Sequence, residues 1–307
     1  MKDALLTYVM KVDAYAPTPS ASTAYIRKVL CVVAPKDGVT AGTITECTTK
    51  AEVQALTDAL CYKMLEAGMP SIYVLPADDL DIADILAATT FKFFTILIDN
   101  AFASTAALDT GTFNGVVGWT NSDRATAKTF GYSKNNVGFY DLDANNSENT
   151  YYAFGKLLSA NTWKNQQYIE MPKSSNINST AQAELLFEDS VSFVLTSDEY
   201  ANRLALFASN RRAIIAPYVY EELTLKLQSK ALQYISLNQP NYTQAEASLL
   251  EDSLQSVIDS YIASGIIESG DIVVELTDEQ FVVSATIEIP EPKALWRIKA
   301  TMKQGEI

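Results

Sequence analysis

Residues 25–35 read YIRKVLCVVAP, from Tyr25 to Pro35. Within them Val29–Val33 is an unbroken apolar run closed by Ala34-Pro35, with no polar alternation. A strand of that texture is buried on both faces, the environment of a parallel sheet covered by helices. The next stretch supplies such a helix. Thr49 and Glu52 have capping-box spacing, Val53, Leu56, Leu60 and Met64 share one helical face, and Gly68 with Pro70 ends the run. A helix is therefore expected over Thr49–Ala67. Further strands are expected at Ser71–Pro76, Phe93–Asp99, Phe113–Trp119, Val137–Asp141 and Gln167–Met171, alternating with helices at Leu80–Ala88, Ser122–Thr129 and Glu148–Ala160. Repeated units of this kind predict an α/β fold with a parallel or mixed sheet flanked by helices.

Near Ser190 the pattern changes. Val191–Leu195 reads as a strand, Leu204–Ile215 is apolar around a basic Asn210-Arg211-Arg212 knot, and Tyr218–Tyr234 and Thr243–Ala263 read as helices. The second of these has Thr243 and Glu246 at its start, a stripe of Leu250, Leu254, Val257 and Tyr261, and Gly265 at its end. Asp271–Leu276 and Phe281–Ile289 form a hairpin, so this part is helix-plus-hairpin α+β. Pro290-Glu291-Pro292 is a stiff break. Beyond it Trp296, Ile298, Ala300 and Met302 alternate with Arg297, Lys299, Thr301 and Lys303, the period of a half-buried strand with no partner after it. Residues 231–292 hold eleven acidic side chains and no Lys or Arg, whereas 293–307 hold four basic and one acidic. At the other end, Leu5–Val12 is β-prone and precedes a Pro/Ser connector, Ala16–Ser20. The chain thus divides into an N-terminal arm at 1–20, an α/β domain at 21–189, a C-terminal domain at 190–292 and a terminal arm strand at 293–307. An acidic body and a basic strand behind a Pro hinge suit pairing between subunits.

Composition narrows the function. With 307 residues, 48% hydrophobic and 20% charged, the chain can bury a sizeable core. A net charge of -14 argues against direct nucleic-acid binding and against an anionic membrane surface. The complete absence of His removes Ser-His-Asp and Cys-His catalysis and His-based metal sites. Cys31, Cys47 and Cys61 have no CxxC spacing and read as packed thiols. The apolar runs are strand-sized, so no membrane insertion is expected. Asp3 and the short run Ala4–Met10 make a poor secretory leader, and the sequons at Asn145, Asn178 and Asn241 carry no weight without one.

No catalytic motif emerges. Gly155-Lys156 lacks the rest of a phosphate loop, and Gly111, Gly115 and Gly118 read as turn residues at a strand start. Asp141–Asn145 opens like a calcium loop but has Asn146 and Tyr152 at the positions that need Gly and Glu. The neighbouring acids Asp78/Asp79, Glu188/Asp189, Glu221/Glu222 and Glu251/Asp252 read as solvated faces, and Arg203, Arg211 and Arg212 as structural or subunit contacts. No enzyme activity, cofactor or metal is expected.

Four runs resemble the tail sheath proteins of contractile-tailed phages and related injection machines. They are the N-terminal arm ahead of Val29–Pro35 and Lys36-Asp37-Gly38; the stretch Thr43–Leu75 with its helix and Gly68-Met69-Pro70-Ser71-Ile72-Tyr73-Val74-Leu75; Asn210–Tyr220 (NRRAIIAPYVY) entering a helix; and the C-terminal order of helix, acidic hairpin, Pro break and basic strand. The chain is short for such a subunit and fits a small sheath without outer domains. The resemblance implies a virion-tail protein, assembled in the host cytoplasm, that forms rings of six stacked on a tail tube and contracts without catalysis. Its implied partners are itself, the tail tube protein, and the baseplate and terminator proteins. It also implies strand exchange by the terminal arms, assigning the interface to Leu5, Leu6, Tyr8, Val9, Val273, Phe281, Val283, Trp296, Arg297, Ile298, Lys299 and Met302. Two other readings stand beside it: a cytoplasmic α/β enzyme using carboxylates and a divalent metal, and a non-contracting sheath-like baseplate or terminator protein.

Overall fold

The computed structural model describes residues 5–12, 23–77, 85, 92–102, 113, 115–133, 135–143, 147–164, 169–175, 177, 179–196, 202–209, 212–276 and 283–290. In chain order they form β1 (Leu5–Val12), a 3-10 turn (Thr23–Arg27), β2 (Val29–Val33), β3 (Thr45–Cys47), α1 (Lys50–Leu56), α2 (Lys63–Glu66), β4 (Ile72–Pro76), β5 (Thr95–Ile98) and β6 (Val116–Asn121). Then come α3 (Arg124–Gly131), β7 (Val137–Tyr140), α4 (Glu148–Ser159), α5 (Thr180–Glu188), β8 (Phe193–Leu195), β9 (Arg203–Leu206), β10 (Ala208–Ser209) and β11 (Arg212–Ala213). Two long helices, α6 (Ile215–Asn238) and α7 (Gln244–Ala263), lead to β12 (Asp271–Leu276) and β13 (Val283–Pro290).

The central sheet has six strands in the order β3-β4-β2-β5-β6-β7, parallel throughout except for the antiparallel edge strand β3. Every residue of β2, β5 and β7 is buried. Their side chains divide between two apolar layers. Val29, Cys31 and Val33 face the layer containing α4 and α6, while Leu30 and Val32 join Ile96, Ile98, Val117, Trp119 and Phe130 in the other. The α/β class with a largely parallel, helix-covered sheet, expected from the apolar run of residues 29–33, is the observed fold.

Several predicted elements need correction. The helix expected over Thr49–Ala67 is two helices joined by a 3-10 turn at Leu60–Tyr62. Its capping box is present, with Glu52 N–H donating to Thr49 Oγ1 at 3.3 Å and Thr49 N–H to Glu52 Oε2 at 3.1 Å. The break is made by Thr57, whose extended backbone ends α1 and whose hydroxyl donates to the Ala34 carbonyl at 2.7 Å, while the Ala59 amide donates back to it at 3.1 Å. A β-branched residue that can bond across to the end of β2 thus overrides helix propagation. Of the strand expected at Gln167–Met171, residues 169–171 are among the described residues, and they form an isolated bridge, Glu170 to Arg203. Of the helix expected over 80–88, only Ile85 is among the described residues.

Gly118 is not a turn residue. It lies inside β6, where a Cβ would stand 2.6 Å from both Leu97 Cδ2 and Phe154 Cε2. Gly138 in β7 is tighter still, since a Cβ there would sit 1.9 Å from the Ala127 carbonyl of α3. These glycines are required by close packing of helix on sheet.

Helix α6 begins three residues earlier than the expected Tyr218 and tolerates Pro217 because the first turn needs no amide there. Its N-terminal half is driven into the molecule. Tyr218 is fully buried, its hydroxyl 2.8 Å from Thr95 Oγ1 of β5, and its ring stacks on Trp163 and meets the edge of Phe94. Glu221 accepts from the Tyr25 hydroxyl, and Glu222 accepts from Trp163 Nε1 and pairs with Lys226 at 2.8 Å. Buried side chains from Ile26 to Ile287 form one apolar cluster around this helix.

Candidate subunit interface

The sequence places its candidate interface on the hairpin and the terminal arms. The hairpin forms as expected, with β12 and β13 antiparallel from Asp271 opposite Glu288 to Leu276 opposite Val283. Period two decides its faces. Ile272, Val274, Ala285 and Ile287 are buried, with Leu250, Leu254, Ile258 and Tyr261 of α7 in the same cluster. Asp271, Val273, Glu275 and Glu288 are exposed, Val273 at 49%. The outer face is therefore acidic with one apolar residue at its centre.

Strand β1 completes a three-stranded sheet in the order β1-β13-β12. It runs antiparallel to β13, with Leu6 opposite Ile289, Tyr8 opposite Ile287 and Val9 opposite Thr286. The predicted arm strand and the predicted receiving strand do meet, and they meet within a single chain. Of the predicted interface residues, Leu5, Leu6, Tyr8, Val9, Val273 and Val283 thus come together in one sheet. Phe281, Trp296, Arg297, Ile298, Lys299 and Met302 lie outside the described residues.

The far edge of β12 is covered by α7. Alternate amides of a strand point to opposite edges, so those not facing β13 point away from it. Val274 N–H donates to Glu251 Oε2 at 2.8 Å, and Ile272 N–H donates to Gln255 Oε1 at 3.1 Å. Gln255 Nε2 in turn donates to the Gly270 carbonyl at 3.0 Å and to Asp259 Oδ1 at 2.9 Å. Glu251 is therefore not part of a solvated acidic face, although its neighbour Asp252 is exposed. Sequence reading misses this because the helix and the strand it meets are about twenty residues apart. The spacing that matches them, four residues of helix against two of strand, is about 6 Å in either element.

The remaining charged residues take structural places. Glu221 and Glu222 bond to Tyr25 and Trp163 rather than facing solvent. Asp189 is only 9% exposed and pairs with Lys128 at 2.7 Å and Arg124 at 3.3 Å, which corrects the solvated reading for Asp189, whereas Glu188 is exposed. Arg203 reaches Glu170 at 3.8 Å. Asp78, Asp79 and Arg211 lie outside the described residues. Cys31, Cys47 and Cys61 are buried and free, and burial raises the thiols of Cys31 and Cys47, the latter to about 11. That suppresses their reactivity. Among the described residues no three His, Cys, Asp or Glu side chains are grouped to hold a metal ion, and no helix is long and apolar enough to cross a membrane.

One cleft of about 420 Å³ opens beside the 3-10 turn, lined in part by Arg27, Glu46, Tyr73 and Asn161. Lys28 lines it as well, and Arg27 is already engaged. Arg27 donates to the carbonyls of Leu158, at 2.9 Å, and Ala160, and lies 4.2 Å above the Trp163 ring. Glu46 accepts from Ser71 Oγ at 2.8 Å.

No family model matches the sequence, and no curated protein matches it. Solved structures do. The chain superimposes on a chain of the anti-feeding prophage baseplate with a TM-score of 0.68 and 13% identity, covering 92% of this chain and 94% of that one. It superimposes on a chain of the anti-feeding prophage helical sheath in its contracted state with a TM-score of 0.64 and 12% identity, covering 96% of each. At these identities the likeness is one of fold. The fold is shared over 92–96% of this chain with chains from structures of a baseplate and of a helical sheath.

Proposed function

We propose that this chain is a structural subunit of a contractile injection apparatus, a sheath-type protein that polymerises with copies of itself through its terminal strands. The observation that carries the reading is the fold shared with the anti-feeding prophage sheath over 96% of both chains, together with a hairpin that has recruited an additional strand from the N-terminal arm. In this reading β1 leaves its own β13 and pairs with the β13 of a neighbour, while the basic strand Lys293–Ile307 reaches the acidic hairpin of another. Rings of six stack helically on a tail tube, bounded by baseplate and terminator proteins. Contraction needs no bound nucleotide. Packed bodies such as the one around α6 hold two alternative sets of contacts, and the strand mesh keeps subunits connected while they change from one to the other.

The slightly higher TM-score to the baseplate chain favours a second reading, a sheath-like component that forms a ring and does not stack. Negative-stain electron microscopy of the purified full chain, and of a truncation lacking Lys293–Ile307, tests both. Hollow tubes from the full chain and single subunits from the truncation support the sheath reading. Rings that never stack favour the baseplate reading, and normal tubes from the truncation overturn the assignment of the C-terminal strand.

A further inference from the structure

We infer that Glu251 and Gln255 form a displaceable latch that holds the open edge of β12 closed against an incoming strand. This rests on the strand-exchange reading above and adds to it the residues that control the edge. Three backbone groups on that edge, the Gly270 carbonyl and the Ile272 and Val274 amides, are bonded at 2.8–3.1 Å to these two side chains. The pair sits one helical turn apart on α7 and so presents two oxygen acceptors at strand-like spacing. It does for β12 what the backbone of a fourth strand would do. An uncovered edge is a template for indiscriminate pairing, and covering it is the usual defence.

Both side chains are half-buried, and the exposed face beside them carries Asp271, Glu275 and Glu288. The occupant that fits is the C-terminal segment Lys293–Ile307 of a second copy. It has the period-two pattern of a strand and places Arg297, Lys299 and Lys303 on alternate positions. Its backbone carbonyls would replace the two side-chain oxygens, and its cations would meet the acidic face of Asp271, Glu275 and Glu288, which the test below leaves intact. β13, by contrast, is already flanked on both sides, by β1 and β12.

The test uses the full chain below its assembly concentration, as wild type, Glu251→Ala/Gln255→Ala, and the exposed control Asp252→Ala. Alanine retains helix propensity, so α7 is preserved. The latch predicts that the Ile272 and Val274 amides exchange about tenfold faster in the double variant, while Val273 and Glu275, facing β13, are unchanged. It predicts as well that a fluorescent peptide of residues 293–307 binds the double variant about tenfold more tightly, and the control no better than wild type. Should the double variant unfold, Glu251→Gln, which keeps an acceptor, must show the same rise in weaker form. Equal or weaker peptide binding to the opened edge overturns the latch and leaves a static cover. If peptide binding rises as expected but the wild-type chain never assembles, the polymerisation reading fails while the latch stands.

Discussion

Tyr8 lies directly across from Ile287 of the same chain, in an antiparallel register that runs without a slip from Leu5 opposite Pro290 to Val12 opposite Val283. The N-terminal strand therefore already occupies the hairpin edge that strand exchange assigns to a neighbour. Together with the α7 side chains on β12, it covers both edges of the β12–β13 hairpin in the single chain, and β1 becomes the outer strand of the sheet. Polymerisation in this account exchanges like for like. Each backbone bond broken within a chain is remade between chains, so the net cost is set by the connector and the packing, not by the ladder itself.

The contact between Tyr218 and Thr95 anchors α6 to the middle of the parallel sheet. Tyr218→Phe should cost about 1 kcal/mol, because it leaves a buried Thr hydroxyl without this partner. Tyr218→Ala should cost about 3–5 kcal/mol through the cavity between Trp163 and Phe94. Urea unfolding midpoints at constant slope measure both. A Phe variant as stable as wild type would show that the hydroxyl pair contributes nothing.

The two strand glycines should differ in sensitivity. Gly118→Ala meets the side chains of Leu97 and Phe154, which can rotate away, and should cost about 1–3 kcal/mol. Gly138→Ala meets a backbone carbonyl of α3 and should cost more, since the helix itself must move. Thermal unfolding of the two variants compared side by side gives the order. The reverse order would contradict the packing described for α3 on β7.

Asp141 is fully buried at the end of β7, and burial raises its carboxyl to about 6. Its ordinary value is about 3.9, so between about pH 4 and 6 the folded chain holds a proton that the unfolded chain has lost. The stability it contributes is present below pH 4 and is lost as pH rises through 6. Asp141→Asn removes this slope. The difference in melting temperature between variant and wild type should be near zero at pH 4 and should shift in favour of the variant by pH 7. A difference that does not change with pH would contradict the shift.

How much of this was legible depends on whether the deciding contact is local. The buried strands at 29–33 and 95–98 and the hairpin at 271–290 follow from apolar runs and alternation, and the α7 helix from its cap and stripe. The break at Thr57 was not legible, because it depends on the Ala34 carbonyl in another element. Helix α5 was missed although its signal was present. Ser179 and Gln182 have capping spacing, and Ser179 Oγ accepts from the Gln182 amide at 3.1 Å, but the preceding Asn-rich stretch masks it. At the candidate interface, alternation identified the strands. The roles of Glu251 and Gln255 depend on a helix turning back to meet a sheet edge about twenty residues further along the chain, and that contact is not local.

Strand exchange is tested most directly with the paired substitution Val9→Cys/Thr286→Cys. The two positions are opposite in the register, where Cα atoms are about 4.5–5.5 Å apart, within disulfide reach. The native cysteines are buried and should not compete. Assembled particles of this variant are oxidised and run under non-reducing, denaturing conditions, beside unassembled subunit treated alike. The account predicts single chains closed on themselves from the unassembled subunit and a ladder of covalently linked multimers from the particles. Single chains from both would show that β1 stays on its own β13 and would contradict it.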